Sequence, residues 1–256
     1  MAPSRMAGGT LIFQSCDPAA APAWVARCVE SVRNWAETKG YSHRLLGNEL
    51  FDPLPPDFAS ACADRKLPMS DLARLLWCRR FLAEGWDQIV WIDSDVLVLD
   101  PAAFAVDLLD HEMLCRELWL WRADGEIRAR WAVNNCVMAW RPGSAVLPYY
   151  IHACAVLAAA EDGPGTLGLG PAFLTRLNAA APLPTVDTVM TLSPLLMEAI
   201  LSGDHTLLAN ARTLWNAPVY AVHLCGSLSG EGGPMLNPVQ RYDQVITALQ
   251  SNGFPA

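Results

Sequence analysis

Within the first hundred residues, short apolar runs alternate with segments of helical period. Gly9 to Phe13 (GTLIF) reads as a buried strand. From about Pro22 to Lys39, the residues Trp24, Cys28, Val32 and Trp35 recur near helical spacing, with Gly40 as the stop. YSHRLL (41–46) alternates like a second strand, and FDPLPPDF (51–58) reads as a proline-rich loop. Ser70 is expected to cap a helix whose first turn carries Asp71, whose inner face is Leu72, Leu75, Leu76 and Leu82, and which ends at Gly85. QIVWI (88–92) closes the series as a strand apolar from Ile89 onward. Such strands suit a parallel sheet covered on both faces. The order predicts an α/β fold with a mostly parallel central sheet flanked by helices, QIVWI among its inner strands, and ligands at the carboxyl ends of the strands. Downstream, MLCREL (113–118), VNNCVMAW (133–140) and VYAVHL (219–224) read as strands, and SAVLPYYIHACAVLAAA (144–160) as a helix.

Composition narrows the function. With 256 residues, 52% hydrophobic and 17% charged, the chain can bury a full core, as one large domain or one domain with a small appendage. A net charge of -8, with no basic run, argues against a nucleic-acid partner. The only lysines are Lys39 and Lys66. Eight cysteines are scattered without a C-x-x-C, which reads as buried thiols in a reducing compartment, the cytoplasm fitting best. The start, MAPSRMAGGTLIFQSCDP, offers too short an apolar run for a signal peptide core. ACAVLAAA (153–160) falls short of the roughly 20 residues of a spanning helix. No transmembrane segment is expected, and peripheral membrane contact stays open.

The stretch IVWIDSDVLVLDP (89–101) places Asp93 and Asp95 at the end of the apolar run. In an extended segment, side chains two apart point the same way, so the two carboxylates can converge on one cation while Ser94 faces elsewhere. Hard oxygen ligands suit Mn²⁺ or Mg²⁺, which commonly also hold phosphate oxygens. A strand-end turn whose aspartates cap backbone groups is the plainer alternative.

The wider stretch SDLARLLWCRRFLAEGWDQIVWIDSDVLVLDP (70–101) resembles the donor-binding core of glycosyltransferases of the GT-A fold. The likeness is nearest to the retaining DXD-type sugar transferases that include the glycogenin-like enzymes and the Och1-like or capsular-polysaccharide group. In those families an S-D-x-x-R helix leads into a strand ending in D-x-D. The resemblance covers the first hundred residues in pattern and later segments in fragments. It implies a single GT-A domain over 1–256, with a nucleotide-binding half to about residue 100 and a donor-sugar and acceptor half beyond.

By position, the resemblance puts Asp93 on the nucleotide ribose or the metal and Asp95 on the metal. Asp71 and Arg74 would hydrogen-bond the donor sugar and diphosphate, and Phe13, Gln14, Ser15 and Ser94 belong to the same donor site. The alternative makes Asp71 a helix-dipole partner and Arg74 a solvated side chain. Removing Arg74 is expected to spare the fold, because Leu72, Leu75 and Leu76 hold the helix by another face. NNCVMAWRPG (134–143) resembles the family's N-x-G-V-M strand, with Asn134 facing the donor sugar and Cys136 replacing the glycine. GLGPAFLTRL (168–177) resembles a Gly-Pro helix entry, which assigns Gly170 and Pro171 to the donor; a proline at N1 is the plainer account. VYAVHLCGS (219–227) resembles a late strand supplying a histidine metal ligand, His223. The longer H-x-x-G-x-x-K pattern is half present, since Gly226 fits but no lysine follows. Diphosphate charge then falls to metal and arginine.

The implied activity is a metal-dependent glycosyltransferase using Mn²⁺ or Mg²⁺, with Asp93, Asp95 and Arg74 as its catalytic residues. It would move a sugar from a nucleotide-diphosphate sugar, UDP by default, to a saccharide or other hydroxyl acceptor with retention. For inversion, Glu117, Asp124 and Glu126 are the candidate bases. The three tryptophans alternating with charges in ELWLWRADGEIRARW (117–131) suit a saccharide acceptor by ring stacking, or the core. A haloacid-dehalogenase-type phosphatase also ends a strand in D-x-D but needs a later lysine, and none follows Asp95. A catalytically silent nucleotide-sugar-binding module is the remaining alternative.

Overall fold

The computed structural model describes residues 8–62, 65–158, 168–226 and 238–255. Strand β1 (Thr10–Ser15) alternates between two buried environments, Leu11 and Phe13 facing one core and Ile12 the other. Strand β3 (Gln88–Ile92) does the same, with Ile89 and Trp91 on one side and Val90 and Ile92 on the other. A strand covered on both faces admits a polar side chain only where it finds a partner, as Gln14 does with the Asp93 carbonyl and Gln88 with the Val106 carbonyl, and the rest of each run is largely apolar. Strands β2 (Ser42–Leu46) and β3 flank β1, both in parallel. The connecting helices cover opposite faces. Helix α1 (Ala23–Lys39) adds Val32, Trp35 and Ala36 to the Ile12 core, and α3 (Lys66–Glu84) adds Leu72, Leu75 and Leu76 to the Leu11 core. They end at Gly40 and Gly85, as the sequence predicts.

Beyond β3 the sheet continues through β6 (Glu126–Trp140), β5 (Glu112–Ala123) and the short β7 (Thr185–Val186), giving the order β2-β1-β3-β6-β5-β7. Three of its pairings are parallel (β1–β2, β1–β3, β5–β7) and two antiparallel (β3–β6, β5–β6), so the central sheet is mostly parallel. A second sheet, β4-β9-β8, is built from β4 (Val96–Val98), β9 (Ala221–His223) and β8 (Val189–Thr191). Helices α4 (Val146–Ala158) and α5 (Pro171–Ala180) join α3 on the Leu11 core. Helices α6 (Pro194–Ser202), α7 (His205–Trp215) and α8 (Pro238–Asn252) enclose a third core around Trp24, Leu118, Trp215 and Val222. No helix among the described residues is long and apolar enough to cross a membrane. All eight cysteines are free thiols, and only Cys16 is not fully buried.

Several local expectations are corrected. The Ser70 helix begins a turn earlier, at Lys66, so Ser70 is interior and caps nothing. The proline-rich segment 51–58 is not all loop: it follows a 3₁₀ turn at Asn48–Phe51 and enters α2 (Pro56–Cys62). MLCREL and VNNCVMAW belong to one long hairpin whose two-residue turn, Asp124 and Gly125, has φ of 53° and 79°. That is the turn chemistry an Asp-Gly pair between strands supplies. The N-terminal residues 1–7, Ser227, and the end of ACAVLAAA lie outside the described residues.

Ile92 tests the interior placement of β3. It is wholly buried against the α1 side of the sheet, so Ile92→Ala should cost about 2–5 kcal/mol in urea unfolding. A loss near zero would contradict an inner strand.

Candidate functional site

The chain leaves β3 at Asp93 and enters β4 at Val96 through a tight turn, closed by Val96 N–H donating to the Asp93 carbonyl at 3.1 Å. The two carboxylates therefore converge through a turn, not through an extended strand. The turn is tied at each end: Asp93 N–H donates to the Cys136 carbonyl at 2.7 Å, and Leu224 N–H to the Asp95 carbonyl at 3.0 Å. Gln14, fully buried at the end of β1, donates from Nε2 to the Asp93 carbonyl at 3.3 Å, while His43 lies 3.1 Å from its Oε1.

Each carboxylate has one oxygen fixed by the protein and one left over. Asp93 Oδ1 accepts from Arg74 Nη1 at 2.7 Å and from Trp91 Nε1 at 2.6 Å. Asp95 Oδ2 accepts from the Gly226 N–H at 2.6 Å. The other oxygens face His223, whose Nε2 lies 4.0 Å from Asp93 Oδ2 and 3.4 Å from Asp95 Oδ1. Asp93, Asp95 and His223 form a candidate metal-binding group, with ligand atoms within 4.8 Å of one another. Two carboxylate oxygens and an imidazole nitrogen suit a divalent cation such as Mn²⁺ or Mg²⁺, and three protein ligands leave coordination positions for other oxygens. The residues fit the group.

Electrostatics point the same way. Burial pushes the Asp93 carboxyl up, against the pull of Arg74. Burial also works to raise Asp95, but His223 and the Gly226 N–H outweigh it and hold that carboxyl below its ordinary value. Burial alone would lower His223, yet the Asp95 carboxylate, 3.4 Å from its Nε2, raises it above its ordinary value. The point where the three side chains meet favours positive charge.

Arg74 is neither solvated nor free. It is 5% exposed, lies 4.8 Å over the Trp91 ring, and donates from Nε to the Ser70 carbonyl at 3.1 Å. Its Nη2 lies 3.4 Å from Asp71 Oδ1, which also accepts from Asn135 Nδ2 at 2.8 Å. Burial pushes the Asp71 carboxyl up, opposed by Arg74 and Asn135. Gly170, capping α5, packs over this pair: a Cβ there would stand 3.0 Å from Asn135 Nδ2 and 3.2 Å from Asp71 Oδ2.

A cavity of about 690 Å³ opens above the turn. Ser15, Asp71, Arg74, Asp93, Ser94, Asp95, Asn134, Pro171 and His223 all line it. Phe13 is wholly buried against Phe81 and Trp91, and Gln14 lies behind the turn. Asn134 donates from Nδ2 to Glu117 Oε2 and accepts from Cys136 N–H at 2.8 Å, so it also fixes Glu117 in the wall. Asp124 and Glu126 lie at the exposed hairpin tip, away from that wall.

Among solved structures, the chain is similar to a glycosyltransferase involved in the glycosylation of the major capsid of PBCV-1, with a TM-score of 0.51 and 13% identity over 93% of this chain and 99% of that one. The two share a fold. At this identity the likeness is one of fold alone. No protein-family model and no curated protein sequence matches.

The sequence reading passed over Trp91, Asn135 and the role of Gly226. Trp91 was accessible, since it lies two residues before Asp93 in the strand period. Asn135 was hidden by its neighbour, because nothing local says which of two adjacent asparagines serves which face. A Cβ on Gly226 would stand 2.7 Å from Trp24 Cη2 and 3.2 Å from Asp95 Oδ2, so this glycine admits no side chain without displacing the ring stacked on Tyr242.

The buried position of Arg74 reverses the expectation that its removal spares the fold. Arg74→Ala leaves the buried Asp71 and the half-buried Asp93 without their counter-charge and should lower unfolding stability by about 3–5 kcal/mol. Denaturant titration with an unchanged midpoint would contradict this.

Proposed function

We propose that this chain is a metal-dependent glycosyltransferase, a single domain of the GT-A fold and DXD type. It moves a sugar from a nucleotide-diphosphate sugar, UDP by default, to a hydroxyl of a saccharide or glycan acceptor with retention. The observation that carries the reading is the convergence of Asp93 Oδ2, Asp95 Oδ1 and His223 Nε2 at the floor of a cavity beside the carboxyl end of β3, on a glycosyltransferase fold. The chemistry that a divalent cation supplies when bound by these residues is Lewis-acid stabilisation of the charge building on the departing diphosphate. Arg74 and Trp91 hold Asp93 in one orientation, and Gly226 does the same for Asp95. Arg74 is already engaged by two carboxylates, so we assign the diphosphate to Lys66, which lines the cavity in the first turn of α3 and has no partner among the described residues. Asn134, bonded to Glu117 in the cavity wall, faces the donor sugar. Free thiols throughout fit a reducing cytoplasm.

The test is release of UDP from UDP-sugars by the purified chain with Mn²⁺. Turnover should vanish with a chelator, and His223→Ala should raise the Mn²⁺ concentration it requires. Gly226→Ala, which displaces the donor to Asp95, should weaken Mn²⁺ affinity by about 10–100-fold. Mn²⁺-dependent UDP binding with no release from any donor would reduce the protein to a binding module. The anomeric configuration of the product, read by NMR, checks retention; an inverted product would make Glu117 the base.

A further inference from the structure

The two faces of the β5–β6 hairpin use the same residue types differently. On one face Arg116 packs over Trp131 and Trp215, at 5.0 and 4.2 Å, and donates from Nη2 to the Trp215 carbonyl at 2.7 Å. On that face the guanidinium is committed to two rings and a carbonyl, although Trp131 stays 45% exposed. On the other face Trp119 stands directly across from Arg130, and Trp121 from Arg128. Strand alternation puts both pairs on the face of Glu117, and Glu117, Trp119 and Arg130 line the cavity. Neither indole has a ring contact or hydrogen bond among the described residues, and neither guanidinium lies over the ring opposite it. Arg128 is bridged to Asp124 at 2.9 Å. Arg130 is exposed and has no ion pair or hydrogen bond among the described residues.

Of the cations lining the cavity, Arg74 is spent on Asp71 and Asp93, and Lys66 lies on α3. Arg130 is therefore the uncommitted cation on the hairpin wall, beside an uncommitted aromatic face. A flat apolar ring next to a free guanidinium fits a sugar ring that carries an anion, because stacking takes the ring and the planar fork takes a carboxylate or phosphate. In a chain of net charge -8 such a spot is not general surface chemistry. We infer that the acceptor is an anionic saccharide, its ring on Trp119 and its carboxylate or phosphate on Arg130. This rests on the glycosyltransferase reading and adds the class of acceptor to it.

The test titrates the full chain calorimetrically, first with UDP and Mn²⁺ alone. Methyl glycosides of glucose, galactose and mannose follow, each beside its uronate and its 6-phosphate. In at least one sugar series an anionic member should bind about 10-fold or more tightly than the neutral one, and Arg130→Gln should bring the two within about twofold. Trp119→Ala should weaken every member of that series. Whether the uronate or the 6-phosphate gains more identifies the anion. The inference is overturned if neutral members bind as well as anionic ones in every series, or if none binds. It is equally overturned if Arg130→Gln weakens UDP binding and leaves the anion preference in place. Failure of UDP and of the other nucleoside diphosphates to bind removes the glycosyltransferase reading itself; a nucleoside diphosphate that binds with no anion preference among the glycosides removes this inference alone.

Discussion

The buried guanidinium of Arg74 holds three parts of the molecule to one point. It takes Asp93 from the β3–β4 turn, Asp71 from its own helix, and the Asn135 carbonyl of β6, to which Nη1 donates at 3.4 Å. A buried cation is costly unless its charge and its hydrogen-bonding capacity are met. Here two carboxylates, two backbone carbonyls and the Trp91 ring surround it. Replacing the cluster with apolar residues of similar volume would satisfy the core equally well, so its presence is better explained by what it orients. With Asp93 Oδ1 held by Arg74 and Trp91, only Oδ2 is left to face His223.

The second sheet supplies the partner that the first cannot. Val96 pairs with His223 across the β4–β9 ladder, and Thr191 pairs with His223 on the other side. Since β4 begins one residue after Asp95, the register that places Val96 opposite His223 also places the imidazole over the turn. A slip of one residue would send His223 to the opposite face of its sheet. Val222 and Leu224 on one side and Ala221 on the other are all buried, in two different cores, and that packing fixes the register.

Much of this was legible in sequence, for reasons that differ by element. The strands around Ile12 and Val90 announce themselves because a doubly covered strand needs an apolar run such as LIF or IVWI. Asp93 and Asp95 are paired by local spacing, but His223 joins them only through resemblance, since no local pattern links residues so far apart. The start of α3 was misplaced because Ser70-Asp71 imitates a cap. Asp71 belongs to the site through Asn135 and Arg74, and the helix runs on N-terminally through Pro68 to Lys66. The hairpin was missed although Asp124-Gly125 between alternating runs is the strongest short-range signal of one. Arg74 was misjudged as removable because i,i+3 spacing from Asp71 fits a solvated helix face as readily as a buried one.

The segment after β9 carries the remaining strain, and it carries it for the same oxygen atoms. Cys225 has φ of 53°, a left-handed conformation that costs a residue with a side chain roughly 1–2 kcal/mol. The bend lets three groups from four consecutive residues reach Asp95: the Leu224 N–H on its carbonyl, the Gly226 N–H on Oδ2, and His223 Nε2 beside Oδ1. An extended Cys225 would carry Gly226 away from the carboxylate and free Oδ2 to rotate. The Cys225 side chain serves the same arrangement, with Sγ 3.5 Å from His223 Nδ1, on the side of the ring opposite Nε2. The outer ring nitrogen thus has a partner that leaves the inner one directed at the carboxylates. Glycine at 226 then follows from two demands at once. Its N–H must reach Asp95, and its Cα must pass beneath Trp24 where no side chain fits.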